Sequence, residues 1–109
     1  MNEFSVDALL QEAEILGGET FFPEQPVKTY AAWGDEIDAS GSDIDNELRR
    51  HEVTIELYEL MDVPDPDAHA RLQAVMDRYG LPWHKEPRMV ELTLRLYFTT
   101  YTFEYVTRR

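Results

Sequence analysis

Cysteine is absent from the 109 residues. That excludes disulfides, thiolate zinc sites and cysteine nucleophiles, and it fits a reducing compartment. Bases are scarce: ten Lys and Arg stand against 22 Asp and Glu, a formal net charge of -12. Gripping nucleic acid through its phosphates needs clustered bases, so this chain is a poor prospect for it, and an anionic membrane would repel it. No run nears the roughly 18 apolar residues that span a membrane. The opening Met1-Asn2-Glu3-Phe4 lacks the basic and apolar segments of a secretory signal.

What is present points to one folded domain over residues 1–109. The chain is 43% hydrophobic and 12% aromatic, its Val, Ile and Leu residues fall in patterned runs, and disorder is thereby unfavoured. A chain this long buries a single core, about 65% of its unfolded surface. The acids are unevenly placed. Residues 1–47 hold twelve acids and only Lys28 as a base, whereas 48–109 hold ten acids and nine bases.

Val6, Leu9, Leu10, Ala13 and Leu16 recur at three- and four-residue steps and predict a helix from about Val6 to Leu16, capped by Ser5 and stopped by Gly17-Gly18. Val27–Trp33 reads as a short strand. From 34 to 47 the sequence is polar and acidic, and the expectation is a long loop, which a compact domain seldom keeps unused. His51–Leu60 alternates, with Val53, Ile55 and Leu57 on one side and Glu52, Thr54, Glu56 and Tyr58 on the other. Asp65 and Pro66 open a second helix with Ala68, Leu72, Val75, Met76 and Tyr79 on its apolar stripe, ended by Gly80. Val90, Leu92, Leu94 and Leu96 share even parity, while Tyr101, Phe103 and Tyr105 are odd. A bulge or turn near Phe98–Thr100 is expected to absorb the difference. The fold class is α+β: a mostly antiparallel sheet of about four to five strands with two helices packed on it, in the order α-β-long loop-β-α-β-β.

Chemistry is thinly supported. With Gly41 at the sixth position of a calcium loop, Glu36, Asp38, Ser40 and Glu47 take positions one, three, five and twelve, but Asp43 occupies the apolar eighth and strands flank the segment. His51, His69 and His84 lack the spacing of zinc hydrolases and read as surface or strand-edge residues. Gly34 and Gly41 form no phosphate-binding motif, and Ser40 and Ser42 sit on no nucleophile elbow. The expectation is therefore no enzyme, no cofactor and no metal. The aromatic run Tyr97, Phe98, Tyr101, Phe103, Tyr105 lacks the cationic groove of a base-stacking platform, and reads as core or subunit interface.

The order of segments resembles the small tail-terminator (tail-completion, head–tail joining) proteins of long-tailed bacteriophages and prophages. The resemblance rests on Phe22-Pro23-Glu24 with Pro26-Val27-Lys28-Thr29-Tyr30, on Gly41-Ser42-Asp43, and on His51-Glu52-Val53-Thr54-Ile55-Glu56-Leu57-Tyr58. It continues through Met76-Asp77-Arg78-Tyr79-Gly80-Leu81, Trp83-His84-Lys85 and Thr100-Tyr101-Thr102-Phe103-Glu104-Tyr105. It covers most of the chain from about residue 20, and its order and spacing carry it rather than any one piece. The resemblance implies a homo-oligomeric ring, hexameric, that caps the head-proximal end of the tail tube. The ring's partners are then the tail-tube protein and the head connector, and it is built in the bacterial host cytoplasm. DNA passes through the ring without specific binding. Asp35, Glu36, Asp38, Asp43 and Asp45 are then candidates for the lumen or for an interface that orders on docking. The competing expectation is a small acidic interaction protein, an inhibitor or DNA mimic, that binds a basic partner.

Overall fold

The computed structural model describes residues 4–19, 28–38 and 48–108. Helix α1 spans Val6–Glu12, and the Ser5 hydroxyl accepts the Ala8 N–H at 3.1 Å. It ends earlier than the apolar spacing predicts. Glu14 takes the left-handed conformation (φ 59°) expected of a glycine, while the N–H groups of Glu14 and Ile15 bond back to Gln11 and Leu10.

That early stop releases Leu16–Glu19 as strand β1, which pairs in parallel with β2 (Tyr30–Asp38). Gly17-Gly18 therefore lies in a strand rather than at a helix stop. At Gly17 the glycine is required by close approach: a Cβ would stand 2.7 Å from the Ala31 carbonyl oxygen and 2.9 Å from Leu10.

β3 (Leu48–Leu60) and β6 (Leu96–Arg108) form an antiparallel ladder from Leu48↔Arg108 to Leu60↔Leu96 with constant register. Between them lie α2 (Pro66–Arg78), β4 (His84–Lys85) and β5 (Met89–Glu91). The sheet order is β1-β2-β3-β6-β4, with β5 also on β6.

This corrects the expected four to five strands in the order α-β-long loop-β-α-β-β. Among the described residues there are six strands, in the order α-β-β-β-α-β-β-β, and the sheet is mostly antiparallel with one parallel pair. Three causes account for the difference. The early end of α1 frees β1. Pairing with β3 carries β2 through Gly34–Asp38, where local composition favours a loop. The parity change of the last third is taken by a turn at 92–95, with Arg95 at φ 54°, not by a bulge near Phe98–Thr100. Met89–Glu91 thus folds back on β6 instead of continuing into it, and Leu92 and Leu94 are left exposed at the turn.

Both helices lie on one face of the sheet. Val6, Leu9 and Leu10 of α1 and Ala68, Leu72, Val75 and Met76 of α2 pack on Ala31, Val53, Ile55, Leu57, Tyr101 and Phe103. The alternation of β3 dictates this: from His51 to Glu59 its odd residues are buried and the even ones between them face away. Phe4 closes the end of the core edge-on against Tyr79, Phe103 and Tyr105.

α2 begins as its sequence demands. The Asp65 carboxylate accepts the Ala68 N–H at 3.1 Å and the Thr29 hydroxyl at 2.7 Å. The Thr29 hydroxyl, aided by the Ala68 N–H, holds this carboxyl below the usual carboxylate range against the opposing effect of burial. Gly80, at φ 73°, ends the helix.

Candidate functional site

Two polar clusters lie within the packed side of the sheet, one tying α2 to it and the other joining three of its strands. Glu59, only 2% exposed, accepts the Asp65 N–H at 2.8 Å and lies 2.9 Å from His69 Nε2. His69 Nδ1 lies 2.6 Å from the Tyr101 hydroxyl, which Gln73 reaches at 3.0 Å. Hydrogen-bond accounting assigns the directions. Gln73 donates to Tyr101, Tyr101 donates to Nδ1, and the Nε2–H donates to Glu59.

The second cluster lies near the far end of the sheet. His51 Nδ1 sits 2.9 Å from Asp35, His51 Nε2 lies 2.9 Å from the Thr107 hydroxyl, and Tyr105 donates to Asp35 at 3.3 Å while stacking on the imidazole at 4.3 Å. Acid, imidazole and hydroxyl in that sequence are the parts of a nucleophilic relay. Here they come from the neighbouring strands β2, β3 and β6 and cross-link them. Burial, with the Asp35 carboxylate beside it, pushes the Tyr105 hydroxyl up to about 12. His51 and His69 are thus internal connectors, not the surface or strand-edge residues the sequence suggests. His84 is exposed, 3.3 Å from Glu86.

The other face of the sheet carries no helix among the described residues. It presents Ala32, Gly34 and Glu36 from β2, Glu52, Thr54 and Glu56 from β3, and Thr100, Thr102 and Glu104 from β6. The register sets Glu36 opposite Glu52 and Glu52 opposite Glu104, so three carboxylates form one row across three strands. Directly opposed like charges destabilise a sheet. We therefore expect Glu52→Thr to raise stability by about 0.5 kcal/mol at low salt and by less at high salt, measured by urea unfolding. An unchanged or lowered midpoint would show that the row is neutralised from outside.

The acidic candidates do not form one patch. Asp35 and Glu36 are adjacent on β2 and face opposite sides: Asp35 turns to His51 on the helical side, and Glu36 joins the glutamate row. Asp38 ends β2 opposite Arg50 in the register. Asp43 and Asp45 lie outside the described residues. What sequence reasoning missed is Glu52 and Glu104. Alternation puts both on a wet face, but only the strand register sets them beside Glu36.

The described residues contain no group of three or more His, Asp or Glu side chains placed to hold a metal ion, and no helix long and apolar enough to cross a membrane. Compared with protein-family models and with curated proteins, the chain matches none.

Proposed function

We propose that the protein is a structural virion subunit, a tail terminator of a long-tailed phage or prophage. In this reading its copies close into a ring, hexameric by resemblance, on the head-proximal end of the tail tube, and join that end to the head connector. The sequence resemblance supports the reading, and the structural observation that carries it is the sheet face that no helix covers among the described residues, with Glu36, Glu52 and Glu104 in one row. A ring lumen through which duplex DNA slides must not bind phosphate, and an acidic wall repels it. Directly opposed like charges are expected to cost stability, as a surface that serves through its field would. Asp38, at the end of β2, extends the acidic character of this face beyond Glu36. No catalysis is assigned to the Asp35–His51–Thr107 cluster, which serves to hold three strands together.

The test is addition of the purified protein to isolated, uncapped tail tubes, with negative-stain imaging of the tube ends. The expected result is a ring at one end of each tube and tubes that no longer elongate when tube protein is supplied. Tubes left bare, with the chain instead binding tightly to a basic host protein, would move the function to the acidic inhibitor class.

A further inference from the structure

The two edges of the sheet match one another. Among the described residues β1 is the outermost strand on one side, and β4 with β5 is outermost on the other. The pairings define rows that run across the whole sheet. One row is Leu16–Tyr30–Tyr58–Phe98–Met89, and another is Glu19–Trp33–Ile55–Tyr101–Lys85. Each row ends in a complementary pair. Leu16 and Met89 are both 55% exposed, and Glu19 and Lys85 carry opposite charges at the same height.

Shape agrees with this. Between those rows Gly17-Gly18 lies level with Thr99-Thr100, hence with the step from β4 to β5, where Glu86-Pro87-Arg88 sets three residues against two. The edge without side chains thus stands at the height of the edge that bulges. Further apolar surface flanks both sides: Val63, 63% exposed, lines a groove of about 530 Å³ with Leu16, and Val90 and Leu92 adjoin Met89. Strand direction agrees as well. β1 is parallel to β2, and the three antiparallel steps across β3 and β6 leave β4 and β5 running opposite to β1.

We propose that copies of this chain join head to tail through these edges, β1 of one copy lying antiparallel to the β4–β5 edge of the next, with Leu16 against Met89 and Glu19 against Lys85. The inference deepens the ring-subunit reading and rests on it. The occupant is a second copy because the register, charge and shape that each edge needs are found on the opposite edge of the same chain. Two different surfaces make the contact heterologous, and a heterologous contact closes into a ring when its rotation permits. It also covers the two strands that are outermost among the described residues, where unspecific pairing would otherwise be invited.

The absence of native cysteine makes the test clean. Leu16→Cys and Met89→Cys are prepared as separate proteins; both positions are exposed, so neither change opens the core. Under mild oxidation the mixture is expected to give a disulfide-linked dimer, while each protein alone stays uncrosslinked. A chain carrying both substitutions is expected to give a ladder that ends at the ring. Independently, Glu19→Lys weakens self-association about tenfold, and adding Lys85→Glu to the same chain restores it.

Leu16→Cys crosslinking to itself as readily as in the mixture would show a face-to-face dimer and overturn the proposal. So would a chain that remains monomeric and uncrosslinked at its highest soluble concentration. The tail-tube experiment separates the two claims. Tubes capped by rings lacking the 16–89 crosslink keep the function and sink the edge pairing; crosslinked rings that ignore tubes do the reverse.

Discussion

Replacing His69 with alanine is expected to cost about 3 kcal/mol of folding free energy, the largest loss we anticipate from removing a partly exposed side chain. The reason lies with the groups left behind. Glu59 is almost wholly buried and is held by two donors, the Asp65 N–H and the imidazole Nε2–H. Without His69 it keeps one. The Tyr101 hydroxyl, fully buried on β6, loses the acceptor of its proton as well. A buried carboxylate that loses a partner is penalised by desolvation that nothing offsets, whereas removing both partners removes the penalty. The double variant Glu59→Leu with His69→Leu is therefore expected to recover part of the loss, the Asp65 N–H and the Tyr101 hydroxyl still lacking their acceptors. A double-mutant cycle by urea unfolding, with a coupling of at least about 1.5 kcal/mol, is the check. If His69→Ala unfolds within about 0.5 kcal/mol of the parent, water or a rearranged Gln73 already satisfies Glu59, and the cluster does not pin α2 to the sheet.

The second large effect is alkaline. Tyr30, Tyr58, Tyr101 and Tyr105 are each held above the ordinary phenol range, in every case chiefly by burial. Glu56 adds to the effect at Tyr58, which donates to it at 2.8 Å, and Asp35 adds to it at Tyr105. Raised folded-state values mean that the native state prefers the protonated hydroxyls. Their contribution is fully present below the unfolded value near 10 and is lost as pH climbs through the folded values, about 12 for Tyr105. The fold is thus expected to be intact at pH 9 and lost by about pH 12. Tyrosinate absorbance should rise in one cooperative step that coincides with loss of the β circular dichroism signal. Smooth independent ionisation of these four phenols, with the fold retained at pH 12, would mean that they are hydrated in solution.

Much of this architecture is legible in single residues. Ser5, Asp65-Pro66 and Gly80 mark three of the four helix ends, because caps act through neighbours in sequence. The inward set Val53, Ile55 and Leu57 follows from alternation alone. The misreadings share one cause, which is dependence on partners distant in the chain. Gly34-Asp35-Glu36 looks like a loop until β3 pairs with it, and Leu16–Glu19 looks like a helix end until Ala31 lies beside it. Histidine gives no sequence signal of burial, so the roles of His51 and His69 emerge only when Asp35, Thr107, Glu59 and Tyr101 converge on them. Composition alone points to the acidic residues of 35–45, and composition cannot tell that Asp35 and Glu36 face opposite sides of a strand.

One feature of the topology also bears on folding order. β3, α2 and β6 follow one another in residues 48–108 and, together with β4 and β5, complete the longest ladder of the sheet without pairing to a strand from residues 1–47. The near-neutral half of the chain can therefore condense first as one cooperative unit. The half that carries almost all of the net charge must then dock α1, β1 and β2 onto the free side of β3, against its own repulsion. Lowering the ionic strength strengthens that repulsion and favours release of this acidic arm before global unfolding. Release exposes β3, a thirteen-residue strand, as a new edge, which makes the partly opened molecule rather than the native one the species most prone to aggregate.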